Sequence, residues 1–252
     1  MADTAIDLIG GVATQEINFQ WFRSALRADN GLRGSLDYGH AVIDTTAKLD
    51  QYLHSYGPMI ESQWEHIAPC LAGIAPPTFW IDYGCGQGLA GLLVNDLTQG
   101  ALLALVRDIL LIEPSAMALA RAAAIYGRMA PAATVTSLCE RFDDLSEGDL
   151  PNPHAGSTLH LFSNSLDVPG FDPLALLTKT LRPGHHTILS VSHDRDFNGG
   201  TPRIEGVKAA FENPGMAHQL NIHRSMLERF TCDNPSQSKG VVWLCELEVN
   251  DG

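Results

Sequence analysis

Residues 80–88 read Trp80-Ile81-Asp82-Tyr83-Gly84-Cys85-Gly86-Gln87-Gly88, an apolar run that ends in an acid and is followed by three glycines at alternate positions. The run Phe79 to Asp82 has the character of a buried strand. Glycine, lacking a Cβ, lets the backbone turn sharply and approach a ligand closely. Leu89, Leu92, Leu93 and Leu97 then share one helical face, which predicts a helix from Leu89 to about Leu105. The first turn of that helix leaves N–H groups unpaired toward the loop. Asp82 stands at a strand tip, a costly place for an acid unless it is hydrogen-bonded. An ammonium or a network of ligand hydroxyls would supply the partner.

Downstream, short apolar runs go on alternating with helical segments. Asp108 to Glu113 reads as a second strand, Ser115 to Met129 as an Ala-rich helix, and Thr134 to Leu138 as a third strand. Thr158 to Ser163 reads as a fourth strand, Asp172 to Leu181 as a helix closed by Arg182-Pro183-Gly184, and His186 to Ser192 as a fifth strand. Gln219 to His223 and Val241 to Val249 look like two more, the second long and hydrophobic enough to be a final strand inserted in the sheet. Strands separated by helices indicate an α/β fold with a doubly wound parallel sheet, and such sheets bind ligands at the carboxyl ends of their strands. Upstream, Leu49, Tyr52, Leu53, Tyr56, Ile60, Trp64, Ile67 and Leu71 form a helical stripe, interrupted by Pro58, which predicts two helices or one kinked helix. Pro76-Pro77 ends it. The chain therefore divides into residues 1–75, an N-terminal helical extension or lid, and residues 76–252, the sheet domain.

A second acid stands where the first finds support. Glu113 ends the second strand in Leu110-Leu111-Ile112-Glu113-Pro114, and an acid at that tip commonly bonds ribose hydroxyls. Two ligands compete. Gly86-Gln87-Gly88-Leu89-Ala90-Gly91 satisfies the dinucleotide fingerprint GxGxxG, with Glu113 at about the expected distance beyond it. A dinucleotide loop usually begins directly at the strand end, however, whereas here Asp82-Tyr83-Gly84-Cys85 intervenes. A carboxylate before the loop repels a pyrophosphate and suits a ligand with a cationic amino-acid part and no phosphate.

The chain has 252 residues, 16 Lys and Arg against 29 Asp and Glu, and a formal net charge of −13. With 45% hydrophobic and 18% charged residues it is ordinary globular material, neither disordered nor fibrous. Its acidity argues against a generic nucleic-acid binder, which needs a basic stripe, and against a membrane surface. No run of about 18 apolar residues is present, so no membrane span is expected. Five cysteines, none in a CxxC pair, argue against a structural zinc and for reduced thiols. Met1 to Gly10 lacks a basic start and does not read as a secretion signal. The expected setting is cytoplasmic.

The acid, the glycine loop and the second acid together resemble the class I S-adenosylmethionine-dependent methyltransferases. The resemblance spans roughly residues 78 to 195. Asp82-x-Gly84-x-Gly86-x-Gly88 matches that family's first motif in full, and Glu113, followed by Pro114, matches its ribose-binding acid. Leu138-Cys139-Glu140-Arg141-Phe142 falls where the family places adenine-contacting residues, with Glu140 where Asp is usual. Leu161-Phe162-Ser163-Asn164-Ser165-Leu166 occupies the fourth-strand position near the methyl donor. The resemblance implies a Rossmann-like, seven-stranded, mostly parallel sheet whose last strand is antiparallel, with S-adenosylmethionine as cofactor. The cofactor set it implies is Asp82, Gly84, Cys85, Gly86, Gly88, Glu113, Pro114, Glu140, Arg141, Ser163 and Asn164.

Several departures narrow the subclass. Ser163-Asn164-Ser165-Leu166 is not the Asn/Asp-Pro-Pro-aromatic motif of adenine amino methyltransferases. The only Pro-Cys, Pro69-Cys70, precedes the first motif and is misplaced for a pyrimidine C5 enzyme; it reads as a buried helix cysteine. The interval from Asp82 to Glu113 is longer than usual and implies a longer first helix or an inserted turn around Thr98-Gln99-Gly100.

Methyl transfer from a sulfonium is an in-line displacement, so the protein mainly aligns acceptor and methyl group, and a base is needed only when the acceptor must lose a proton. Asn164 is a candidate to orient the acceptor or bond the donor, and otherwise closes an Asx turn. His193-Asp194 closes the fifth strand and is a candidate base with an orienting carboxylate, or else a solvated strand end. His185-His186 lies at the opposite end of that strand, away from the pocket, and no metal is expected. Tyr38, Tyr52, Tyr56 and Trp64 are lid or core residues. A small-molecule or protein acceptor is favoured; an RNA methyltransferase, a non-catalytic cofactor-binding regulatory or scaffold module, and a nicotinamide oxidoreductase stay as alternatives.

Overall fold

The computed structural model describes residues 3–13, 16–39, 41–146, 148, 150, 156–216, 218–234 and 236–250. The N-terminal extension holds α1 (Thr4–Gly11), α2 (Phe19–Ala25), a 3-10 helix (Asn30–Gly39) and α3 (Thr46–Leu71). The sheet domain runs β1 (Phe79–Tyr83), α4 (Leu89–Thr98), β2 (Asp108–Ile112), α5 (Ala116–Met129), β3 (Thr134–Leu138), β4 (Ser157–Ser163), α6 (Pro173–Thr180), β5 (Gly184–His193), α7 (Gly200–Phe211), β6 (Leu220–Thr231) and β7 (Lys239–Val249). Side-chain oxygens start five of the helices: Asp3, Asn18, Thr45, Ser115 and Asp172 each accept from a backbone N–H of the first turn, satisfying donors that the helix itself cannot pair.

Among the described residues the sheet has seven strands in the order β3-β2-β1-β4-β5-β7-β6. β1 to β5 pair in parallel, and β7 runs antiparallel between β5 and β6. Over β1, β2 and β4 both faces are covered, as the interior of a parallel sheet requires, while the edge strand β3 is largely exposed. Trp80 and Leu111 face a core shared with α3, α4 and α5, while Phe79, Ile81 and Tyr83 face a second core with α6 and α7. The final strand is inserted as expected, and the doubly wound seven-stranded architecture stands.

Two boundaries change, one open alternative is decided and one helix is added. The helix begun at Leu89 ends at Thr98 rather than near Leu105, because Gln99 and Gly100 turn left-handed (φ 51° and 79°); the long Asp82–Glu113 interval is thus an inserted turn. α3 passes through Pro58 and Pro69 as one helix, since its apolar stripe is buried on both sides of Pro58 and a single packing face favours continuity. β6 is longer than Gln219–His223, running from Leu220 to Thr231. It is a solvated edge strand bearing His223, Arg224, Glu228 and Arg229, and charge on an edge blurs the apolar alternation. α7 was not foreseen, although Ile204, Val207 and Phe211 at helical spacing were its signal.

Candidate functional site

The three loop glycines all take positive φ, 64° at Gly84, 51° at Gly86 and 85° at Gly88, a region L side chains avoid. Their surroundings differ. A Cβ on Gly84 would lie 2.9 Å from Ser165 Cβ, and one on Gly88 would lie 3.2 Å from Ala122 Cα in α5. A Cβ on Gly86 would meet nothing within 4 Å, because this residue faces open space. The loop is tied to β2: the Gly84 and Cys85 N–H groups both donate to the Ile112 carbonyl, at 2.8 and 3.1 Å. Gly86 N–H donates to Glu113 Oε2 at 3.1 Å, and Ser115 N–H to Glu113 Oε1 at 2.9 Å. Burial pushes the Glu113 carboxyl above the usual range, against the pull of these backbone donors.

Asp82 lies wholly buried beneath the loop. Its Oδ2 accepts from the Tyr126 hydroxyl at 2.7 Å, while Oδ1 has no hydrogen-bond partner among the described residues. Tyr126 reaches it through space left by Gly91, where an added Cβ would lie 2.2 Å from the phenol oxygen. Burial pushes the Asp82 carboxyl up to about 7, with Tyr126 opposing and the Glu113 charge adding to the rise.

Above the loop a cavity of about 320 Å³ opens at the carboxyl ends of β1, β2 and β4. Gly84, Gly86 and Gln87 form its floor; Glu113, Pro114, Arg141, Phe142 and Asp143 form one side; Ser163, Asn164, Ser165 and the Val168 to Phe171 turn form another. The N-terminal extension supplies the remaining wall with Val42, Ile43, Leu49 and Tyr52. Tyr52 is packed on Tyr56, their ring centroids 5.0 Å apart, and burial together with the Glu113 charge holds its phenol well above the usual range.

Two residues that sequence reasoning missed fasten this wall. Gln87 Nε2 donates to the Leu49 carbonyl at 2.9 Å, and Arg121 Nη1 donates to Gln87 Oε1 at 3.0 Å. The Arg121 side chain, 1% exposed, also pairs with Asp3 at 2.6 Å and with Asp50 at 2.7 Å. One guanidinium thus joins α5, the glycine loop, α3 and the N-cap of α1. Its signal was a lone internal cation in the otherwise apolar first turns of the Ala-rich helix.

The cavity collects Gly84, Gly86, Glu113, Pro114, Arg141, Ser163 and Asn164 of the expected set. Asp82, Cys85, Gly88, Glu140 and His193 are not among its lining residues. Cys85 is buried, and burial pushes its thiol up; Glu140 is exposed. Ser163 Oγ accepts from Trp64 Nε1 at 3.2 Å. Asn164, at φ 52°, donates from Nδ2 to Gln63 Oε1 at 3.2 Å and accepts at Oδ1 from the His193 N–H at 2.9 Å. Its amide therefore ties β4, β5 and α3 together. His193 Nδ1 is buried without a partner among the described residues. Asp194 does not orient that ring: it accepts from Thr201 Oγ1 at 2.7 Å and faces Arg229 at 3.5 Å. Trp64 is a core residue, and the Tyr38 side chain lies outside the described residues.

A seven-stranded sheet with its last strand antiparallel, carrying an acid and three glycines at the tip of β1 and a second acid at the tip of β2, is now complete. The fold is that of the class I methyltransferases. No protein-family model and no curated protein matches the chain. Among solved structures it is similar to the plantazolicin methyltransferase BpumL in complex with SAH, at 12% identity over 82% of this chain and 89% of that one, with a TM-score of 0.46. It is also similar to a putative RNA methyltransferase, PH1948 from Pyrococcus horikoshii, at 12% identity over 91% and 95% of the two chains, TM-score 0.43. M. jannaschii TYW2 in complex with AdoMet shares 11% identity over 74% and 76%, TM-score 0.45. At such scores, what this methyltransferase-fold chain does is read from its own residues.

Proposed function

We propose that the chain is an S-adenosylmethionine-dependent methyltransferase acting on a small molecule or a protein. The observation that carries this reading is the hydrogen bond from Gly86 N–H to Glu113 Oε2. A dinucleotide loop needs its N–H groups free for a pyrophosphate. Here the loop donor beside the cavity already serves a carboxylate, so a diphosphate meets an anion where it needs a donor. Two carboxylates, Glu113 and Asp143, stand against one guanidinium, Arg141, in the cavity wall. That balance suits a phosphate-free, positively charged nucleoside.

The residues fit such a ligand. Gly86 offers open space where any side chain would intrude, Glu113 keeps lone pairs for sugar hydroxyls, and Ile43, Leu49, Pro114 and Phe142 give apolar walls. The cofactor supplies an electrophilic methyl group on a sulfonium. The protein's part is positioning: Glu113 holds the sugar, Asp82 supports the loop from below, and Ser163 and Asn164 form the wall at the tip of β4. Holding two reactants in near-attack geometry is worth up to roughly 7–11 kcal/mol. His193, next to the Asn164 amide at the tip of β5, is the candidate base for acceptors that must lose a proton; its Nδ1 has no partner among the described residues.

Calorimetry with S-adenosylhomocysteine and with NADH tests the cofactor reading. Saturable binding of the first alone is expected, and binding of NADH alone overturns it. Labelled-methyl transfer to protein, RNA and metabolite pools then tests the enzyme. The Asn164 amide, already committed to Gln63 and His193, favours the second reading of a non-catalytic cofactor-binding module, and binding with no transfer to any pool would decide for it.

A further inference from the structure

At the end of the sheet opposite the cavity, three metal-ligating side chains converge on adjacent strands. His185 opens β5, Glu248 closes β7, and His223 lies in β6. His185 and Glu248 are direct register partners, so their side chains leave the same face. His223 reaches them through an irregularity: Ile222 pairs with Leu247 and Arg224 with Glu246, which leaves His223 as the extra residue of a β-bulge. Bulges re-aim side chains, and proteins use them beside functional groups.

The geometry is that of a gap, not of a hydrogen-bonded cluster. His185 Nε2 stands 3.9 Å from Glu248 Oε1, and His223 Nε2 stands 3.9 Å from Glu248 Oε2. Both distances exceed hydrogen-bond length. All three ligand atoms lie within 4.8 Å of one another. Two ligands of a tetrahedral ion bound at about 2.0–2.1 Å sit roughly 3.4 Å apart, so each histidine–Glu248 pair has to close by about half an ångström and no pair by more than about 1.4 Å. The side chains are 65%, 48% and 40% exposed for His185, His223 and Glu248, free to make that shift, while the antiparallel strands beneath them are rigidly paired.

We propose that His185, His223 and Glu248 bind a divalent transition-metal ion of the zinc class. Two imidazoles and one carboxylate suit zinc, nickel or copper, whereas magnesium and calcium prefer all-oxygen sets. Three protein ligands leave one position to water. The ion clips β5, β7 and β6 together at their solvated edge. Eight residue steps along β5 separate His185 from His193, roughly 26 Å of strand, so the metal does not enter the nucleoside cavity.

The test uses the untagged full chain and zinc chloride in calorimetry, with Cu²⁺ electron paramagnetic resonance as the spectroscopic readout. Expected are one saturable equivalent of zinc and a copper signal with two coordinated nitrogens. His185→Ala, His223→Ala and Glu248→Gln should each weaken zinc binding by about 10–100-fold or more, at least the loss that outer-shell changes cause, and keep their S-adenosylhomocysteine affinity. Their side chains are exposed, so circular dichroism should show an unchanged fold. Absence of saturable zinc binding overturns the proposal. So does one-equivalent binding that survives all three substitutions, which would locate the ion at another of the chain's histidines, and so does a copper signal without two nitrogens.

Discussion

Asp82→Asn should stabilise the protein in alkaline solution and destabilise it in acid, an outcome that follows from where the carboxyl sits. Asp82 is fully buried and its carboxyl is pushed from 3.8 up to about 7, first by burial. A rise of about three pH units is about 4 kcal/mol, at 1.36 kcal/mol per unit. The sign follows from proton counting. Between pH 3.8 and about 7 the folded chain holds a proton that the unfolded chain has released, so stability falls as pH rises through that window and is level outside it. Asn removes this penalty. It also keeps an oxygen for the Tyr126 hydroxyl, but puts an amide NH₂ where Oδ1 now has no partner. A buried unpaired donor costs about 1–3 kcal/mol. Above pH ~7 the variant should therefore gain about 1–3 kcal/mol, and near pH ~4 it should lose about the same. Urea unfolding of both proteins from pH ~4 to ~8.5 gives the difference curve, from which other titrating groups cancel. A difference that does not change with pH, or a variant less stable throughout, would refute the account. S-adenosylhomocysteine binding by the same variant then reads the loop: retained affinity means that Asp82 works as support, and lost affinity means that its charge meets the ligand.

Glu113→Ala should weaken S-adenosylhomocysteine binding by about one to two orders of magnitude, matching hydrogen bonds to a charged group worth roughly 1.5–3 kcal/mol; calorimetry checks it, and an unchanged Kd removes Glu113 from the sugar site. Arg121→Met should cost about 3–5 kcal/mol, because it strands Asp3 and Asp50 in a largely buried setting; a loss below about 1 kcal/mol in urea unfolding would show the network to be solvated. His160 and His186, hydrogen-bonded at 2.9 Å, are both held below the usual imidazole range by burial. Their contribution is present above the unfolded value of about 6.5 and is lost as pH falls through the lowered folded values, so His160→Gln should flatten the acid limb of the stability–pH curve.

The nine residues from Trp80 to Gly88 were enough to announce strand, loop and helix, because each glycine there answers a local demand for positive φ that only a glycine meets cheaply. Asn164 showed at the sequence level as a residue for a strand-tip turn, and it takes left-handed φ there. β1 and β2 were legible because strands covered on both faces read as near-continuous apolar runs. β6 was legible only in part, since an edge strand carries charge to discourage foreign pairing and so hides its period.

What stayed hidden depends on distant residues meeting. No local pattern places Arg121 between Asp3, Asp50 and Gln87, whose partners are 34 to 118 positions away. The same holds for His185, His223 and Glu248, brought together by a strand order that inserts β7 between β5 and β6. Burial decides the rest: Asp82 and Glu113 read alike as strand-tip acids, yet packing puts one beneath the loop and the other in the cavity wall. Residue type and short-range spacing determined the backbone path and the chemical class of the loop. Desolvation and long-range pairing, which exist only once the chain has closed on itself, decided which of those groups are charged, which are spent on structure and which face a ligand.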